Sequence, residues 1–525
     1  MAAFNGNNKR KLDYSLKLLA KTSTIVFICL ILSKIFTYLY RIIIARYFGP
    51  EVYGLFSLAV MISGWFIVVA SLGLTEGLIR FIPIYIGKGQ HHKVNYLFKF
   101  TIYFSLISGL VFGAMLFLFS EAIAINIFNN LQLIPFLKIF AFLIPLTLLT
   151  TPLLVLLRAH EKIGAYSFLS NIVLSFSRVM VLIFLIFSGF NLNGVAHSYV
   201  LGGFFLLIAA YFSCRYILPG IFLKIFIKDW EREEVRGELF TYSIPLVFSF
   251  AIYSIFFWID SFSLGLYKSA YEVGLYNAAV PIAMLLGMFP EVFMQLFFPM
   301  INREYSQKNK KLIEQLSKQI TKWIFIVSLP IFSLIFLFPG AALNLLFGSS
   351  YLSAEIALRI LLLGSLIYSL GSVSQQLITM LGKSKLVLTN TILATLLNLL
   401  LNTRLVPLNN LWGLDNSSGM IGAATATAIS MIFLTLLFQF QTFKYLHFIP
   451  LRKKIIRILF SGVISTLLII YLRTIMEINT LTIVILSLLF FLFYFLTIIL
   501  TRAFDENDGE IIKAIFNKII KIRRN

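Results

Sequence analysis

Acidic residues are scarce in this chain: 22 Asp and Glu stand against 44 Lys and Arg in 525 residues, and all charged residues together make up 13%. So little charge excludes an ordinary soluble domain, whose water-facing surface needs more polar cover. Cysteine is scarcer still. Cys29 and Cys214 lie in or beside apolar segments, which excludes a disulfide framework or cysteine metal cluster and leaves packing as their role. There is no Walker loop, no HExxH, no paired-cysteine motif and no soluble stretch large enough for an ATPase, so an enzyme is not expected and no cofactor or metal is called for. The pair His91 and His92 sits beside Lys88 and Lys93 and reads as a basic interfacial turn. No cleavable signal peptide is expected either, since the polar start over 5–21 runs into an apolar segment with no small-residue cleavage site close behind it.

What the chain has is hydrophobic length. Hydrophobic residues make up 59% and the mean hydropathy is +0.91. Apolar runs recur throughout without the alternation of a barrel, so the fold class is all-α integral membrane protein. Fourteen spans are expected, at 19–45, 52–85, 96–119, 134–157, 166–188, 195–216, 239–265, 273–300, 320–340, 352–381, 386–406, 419–443, 455–472 and 480–501. The net charge of +22 is not a nucleic-acid signal, because the basic residues are spread in short clusters between the spans. Every second loop is rich in Lys and Arg, and the intervening ones carry isolated cations such as Arg46, Lys268, Arg404 and Arg473. That alternation places the protein in the cytoplasmic membrane with both termini inside.

Two stretches repeat one another. Residues 46–60 (RYFGPEVYGLFSLAV) and 266–280 (LYKSAYEVGLYNAAV) share Tyr47/Tyr267, Gly54/Gly274, Leu55/Leu275, Ala59/Ala279 and Val60/Val280 at one offset. The copies lie six spans apart, an even number, so both run the same way through the bilayer as a parallel repeat, a common transporter plan. The expected architecture is two parallel six-helix repeats plus two extra C-terminal helices: an N-lobe over 1–223, a connector over 224–238, a C-lobe over 239–450, helices 13 and 14 within 451–502, and a basic tail over 503–525. Residues 229–236 of the connector read as a surface helix.

Ionisable groups at bilayer depth are costly, so they mark cavities or partners. On helix 1, Lys34, Tyr38 and Arg41 share a face, two cations awaiting an anion. Helix 5 carries a stripe of Ser167, Asn171, Ser175 and Arg178, and helix 11 repeats it with Thr391, Thr395, Asn398 and Asn402. Such stripes bind substrate or join helices by hydrogen bonds. Lys34, Arg41, Arg178, Tyr38, Asn171 and Asn398 are the substrate-binding candidates. Asp260 on helix 7 either pairs with Arg41 or Lys34 as a latch or takes a coupling proton or cation, and Glu291 has no local basic partner. Glu76/Arg80 and Glu355/Arg359 are spaced for local ion pairs, with the first pair a gating candidate.

Three signatures together resemble the Wzx-type polysaccharide-export flippases of the multidrug/oligosaccharidyl-lipid/polysaccharide exporter superfamily: 45–56 (ARYFGPEVYGLF), 72–83 (LGLTEGLIRFIP) with 87–89 (GKG), and 258–260 (WID) leading to 274–278 (GLYNA). The resemblance spans nearly the full length. It implies a MATE-like pair of six-helix lobes that alternate between inward-open and outward-open states, with two extra helices beside a lipid-accessible groove. The implied cargo is a polyprenyl phosphate- or pyrophosphate-linked oligosaccharide moved to the outer leaflet in surface polysaccharide biosynthesis. A proton, Na⁺ or the membrane potential would drive it, and glycan polymerase and glycosyltransferases would be its partners. A multidrug cation antiporter of the same superfamily and a non-transporting scaffold for glycan-assembly enzymes are the alternatives.

Overall fold

The computed structural model describes residues 2–222, 229–410, 418–476 and 479–504, so connector residues 224–228 and tail residues 505–525 lie outside the described residues. Every regular element among them is helical. Among the described residues, thirteen helices are long and apolar enough to cross a membrane. The first of these, 44 residues over Ile28–Ser71, would be about 66 Å long as one rod, roughly twice a hydrocarbon core. It is broken at Gly49, whose φ of 82° and ψ of 178° leave the helical region, directly before Pro50, which has no N–H to donate. Residues of both the first and second expected spans therefore fall in this one run.

The chain packs as two compact units, Met1–Asn277 and Ala278–Asn525. The first holds α1 (Ala2–Ser71), α2 (Leu74–Gly87), α3 (His91–Ala122), α4 (Leu133–Ala141), α5 (Leu143–Ala159), α6 (Ile163–Ser167), α7 (Leu174–Phe187), α8 (Asn193–Ile217), α9 (Asp229–Tyr267) and the opening turns of α10 (Ala270–Ser306). The anticipated surface helix over 229–236 is instead the start of α9. Its acidic face is pinned there: Lys93, buried on α3, donates to Glu234 at 2.7 Å, and the Tyr85 hydroxyl of α2 donates to Glu238. Above that cluster Leu78, Ile82, Leu97, Leu156, Leu157 and Leu239 form a fully buried core joining α2, α3, α5 and α9.

The two repeated hinges touch. A Cβ added to Gly54 would lie 1.7 Å from the Ala270 carbonyl oxygen, and one added to Gly274 would lie 1.9 Å from that of Pro50. The backbones of the two copies are thus in direct contact, which only glycine permits at these positions. The Tyr53 hydroxyl donates to the Asn277 carbonyl at 3.2 Å and fixes the same crossing.

The second unit continues through α11 (Lys310–Leu337), α12 (Pro339–Leu346), α13 (Glu355–Met380), α14 (Ser384–Leu405), α15 (Ser418–Leu446), α16 (Lys454–Ile475) and α17 (Thr480–Leu500). α13 and α15 pack through small residues, with Gly364 against Ala428 and Gly371 against Thr435. Lipid tails are as apolar as leucine, so close van der Waals approach and polar pairs hold such helices together. One polar pair is reciprocal: Asn390 of α14 and Gln441 of α15 exchange two amide hydrogen bonds of 2.9 and 2.8 Å. α16 and α17 pack on each other and on α11, where the Tyr494 hydroxyl donates to the Ile326 carbonyl at 3.0 Å.

Candidate functional site

Cations gather inside the first unit. A largely enclosed cavity of about 60 Å³ is lined by Arg41 and Thr37 of α1, Ser175 and Arg178 of α7, Tyr199 of α8 and Trp258 of α9, with Tyr40, Phe56 and Ser57 completing it. The half-buried Arg178 guanidinium lies 3.5 Å from the Tyr199 ring centroid, a cation–π contact. Its Nε is buried and has no hydrogen-bond partner. Tyr40, fully buried in the structure's core, anchors the wall by donating to the Val195 carbonyl at 3.1 Å and sharing a 2.9 Å hydrogen bond with Ser198. Phe140 stacks on the Tyr199 ring and Phe56 meets it edge to face, each with centroids at 5.3 Å, so the ring beside Arg178 is held in place. Gly202 makes room for the arginine, since a Cβ there would meet Arg178 Cγ at 2.5 Å.

The helix-5 stripe is split by a π-helical turn over Phe168–Val173. A π-turn inserts an extra residue and rotates the rest of the helix by about 100°. Ser175 and Arg178 therefore face the cavity, while Asn171 lies outside its lining and donates to Ser170. On α1, Thr37 and Arg41 line the cavity, and Ser33 and Thr37 lie 3.1 and 3.3 Å from Ser175 Oγ, tying α1 to α7. Tyr38 is half-buried next to Arg41, and Lys34, two turns toward the N-terminus, is exposed and outside the lining.

The remaining candidates are dispersed. Asp260 is buried and accepts a 2.7 Å hydrogen bond from Tyr276. Asn398, in the second unit, is buried, donates toward Thr427 at 3.4 Å and accepts from Asn402 at 2.9 Å, a helix-joining arrangement. Glu291 is exposed. The expected ion pair between Glu76 and Arg80 is not made: Arg80 sits 4.2 Å above the Tyr242 ring instead, which leaves the Glu76 carboxylate free of it. Nor is the pair of Glu355 and Arg359, because Arg359 donates to the Phe336 carbonyl at 3.2 Å and Glu355 packs against Gly340. In both cases a partner on another helix outcompetes the i, i+4 neighbour. Glu76 opens into a second space of about 460 Å³, bounded by Tyr253, Trp258, Thr75 and Ser254.

Tyr199 carries no sequence signal in a chain that is 16% aromatic, and Phe56 and Trp258 stand out only as members of the 45–56 and 258–260 signatures, not as cavity walls. The paired glycines Gly202 and Gly203 were the available hint, since adjacent small residues mark a close helix approach.

Comparison with known proteins agrees with this architecture. The family model described as polysaccharide biosynthesis protein matches residues 18–304, more than half of the chain, and the MatE model matches residues 245–403. An uncharacterized membrane protein of Methanocaldococcus jannaschii is 24% identical over 504 residues, covering 92% of this chain and 95% of that protein. The lipid II flippase MurJ of Bacillus subtilis is 23% identical over 440 residues, 76% of this chain and 78% of its own. A solved structure of lipid II flippase MurJ in an inward closed conformation superposes with a TM-score of 0.73 at 17% identity, covering 91% of this chain and 99% of that one. With its helical fold and a match over more than half its length, the chain belongs to the polysaccharide biosynthesis protein family of the multidrug/oligosaccharidyl-lipid/polysaccharide exporter superfamily.

Proposed function

We propose that this protein is a flippase that moves a polyprenyl phosphate- or pyrophosphate-linked oligosaccharide across the cytoplasmic membrane by alternating access, with Arg41 and Arg178 holding the phosphate. One observation carries the reading: Arg178 keeps a buried Nε–H without a partner beside a second cation, in a cavity whose other polar side chains are hydroxyl-bearing residues and Trp258. An unpaired buried donor costs about 1–3 kcal/mol, and more for a charged group. A phosphate oxygen accepting from that N–H removes the cost, and guanidinium geometry suits phosphate in a way an ammonium does not. Thr37 and Ser175 add hydroxyls to the same cavity, whereas the Ser57 hydroxyl is committed to the Tyr53 carbonyl. Phe56, Tyr199 and Trp258 in the wall lower the local polarity, which strengthens the attraction.

An inside-negative potential favours outward movement of an anion by about 2.3 kcal/mol per charge per 100 mV, which supplies a driving force without nucleotide hydrolysis. The basic alternate loops support an orientation with both termini cytoplasmic. The antiporter reading calls for a carboxylate in the cavity, whereas the charged residues lining it are both arginines.

Flipping in proteoliposomes tests the reading. Arg178→Gln should slow transport of a fluorescent polyprenyl pyrophosphate-linked sugar by about tenfold or more, the equivalent of one charge-assisted hydrogen bond. Arg178→Lys should restore only part of it. Unimpaired transport by the Arg41→Gln/Arg178→Gln double variant would refute the assignment.

A further inference from the structure

Next to the arginine cavity lies a larger space that the phosphate does not need. Trp258 lines both, so the cavity of about 60 Å³ and the cleft of about 460 Å³ are neighbours that share one indole. The cleft wall on α9 is aromatic: Phe250, Tyr253 and Phe257 follow one another at helical spacing, and the Tyr253 ring is 62% exposed. Opposite stand Thr75 and Glu76 at the start of α2 and Thr151 of α5. Neither the Glu76 carboxylate nor the hydroxyls of Thr75 and Ser254 have a hydrogen-bond partner among the described residues.

We infer that this cleft is the glycan subsite, with Tyr253 and Trp258 as stacking platforms and Glu76 as the acceptor for sugar hydroxyls. The inference rests on the flippase reading and adds where the carbohydrate sits. A pyranose has two kinds of surface, apolar C–H faces and a rim of hydroxyls. The cleft offers both complements: exposed aromatic faces, and a carboxylate with hydroxyls around it. An isoprenoid tail would leave the carboxylate and hydroxyls unused. The volume is in the usual range of small-molecule sites and admits a short saccharide. Its position also follows from the covalent structure of the cargo, because the first sugar is bonded to the phosphate and must lie directly beside the cation pair. Trp258 lines both spaces, so the glycosyl phosphate bond would pass beside its indole.

Full-length protein in nanodiscs tests this with two probes, undecaprenyl pyrophosphate and the same lipid carrying N-acetylglucosamine, measured by titration. Glu76→Gln and Tyr253→Leu should each lower the affinity for the glycosylated lipid, relative to the sugar-free lipid, by about tenfold. Arg178→Gln should weaken both probes alike and serves as the control for an intact cleft. Equal effects of Glu76→Gln on the two probes, or none, would overturn the glycan assignment and leave the arginine site standing. So would loss of ethidium binding in Glu76→Gln with the glycosylated lipid unaffected, which marks an organic-cation site. Wild-type protein that bound neither lipid would overturn the flippase reading and this one together.

Discussion

We predict that Gly54→Ala and Gly274→Ala drive the protein out of the conformation in which the two hinges touch. A methyl on Gly54 would stand 1.7 Å from the Ala270 carbonyl oxygen, 1.3 Å short of the 3.0 Å that real Cβ contacts respect, and the obstacle is backbone. No rotamer change relieves it, so the opening turns of the two hinge helices must separate by more than about 1 Å. Overpacking of this kind costs roughly 1–3 kcal/mol. Because that penalty falls only on the conformer with touching hinges, it shifts the balance toward parted hinges by about 5- to 150-fold. The two sites share one contact, so the double variant should fall short of the sum. Labelling reads this directly. Cys29 and Cys214 are replaced by serine, and Ser57, buried one turn beyond Gly54, becomes the single cysteine. Its reaction with a maleimide should accelerate in Gly54→Ala by a factor in the same range. Unchanged labelling, with unchanged transport, would mean that the crossing is not a closed state of the cycle.

Three further outcomes are expected, the first of them at the arginine cavity and its neighbouring cleft. The flipping and binding variants at Arg178 and Glu76 should dissociate, with Arg178→Gln affecting any polyprenyl pyrophosphate and Glu76→Gln only the glycosylated one. In the second unit, Asn390→Leu leaves Gln441 of the reciprocal amide pair unpaired and should cost about 1–2 kcal/mol; Asn390→Leu/Gln441→Leu should recover most of it, as read by thermal unfolding in detergent. His160, half-buried just beyond α5, has a pKa pushed below the ordinary histidine value of 6.5, chiefly by burial and further by the nearby charges of His91 and Lys162, against a hydrogen bond with the Leu156 carbonyl. The unfolded chain then binds more protons at mildly acid pH, so stability is full above pH 6.5 and declines as pH falls through the folded-state value. His160→Gln should flatten the melting-temperature slope in that window, and an unchanged slope would assign it to another group.

The parts of the fold that were legible in the sequence are those where physics leaves few choices. Apolar runs in lipid must be helical, and alternating basic loops mark their direction. Arg41 and Arg178 were legible for the same reason, since a guanidinium inside an apolar run is conspicuous. Tyr199 was not, because an aromatic is ordinary in such a chain and only its neighbours make it a wall; Trp258 stood out in the 258–260 signature, but nothing there made it a wall. Asn171 was misplaced by the π-turn over Phe168–Val173, which no spacing rule anticipates. Lys34 shares the helical face of Arg41 but stops short of the cavity, because a face extends along the whole helix and a cavity does not. Glu76 and Arg80 obey the helix rule for pairing, yet Tyr242 on α9 offers Arg80 a better position. Local spacing proposes partners, and tertiary contact selects among them.

The glycine crossing also bears on ancestry. Pro50 and Gly54 in the first copy occupy the places of Ala270 and Gly274 in the second, and each glycine meets the carbonyl of the other copy's residue four positions earlier. A contact whose two halves are the same positions is self-complementary, as in a twofold homodimer. A single six-helix ancestor carrying one such glycine would therefore already have had the means to pair with itself.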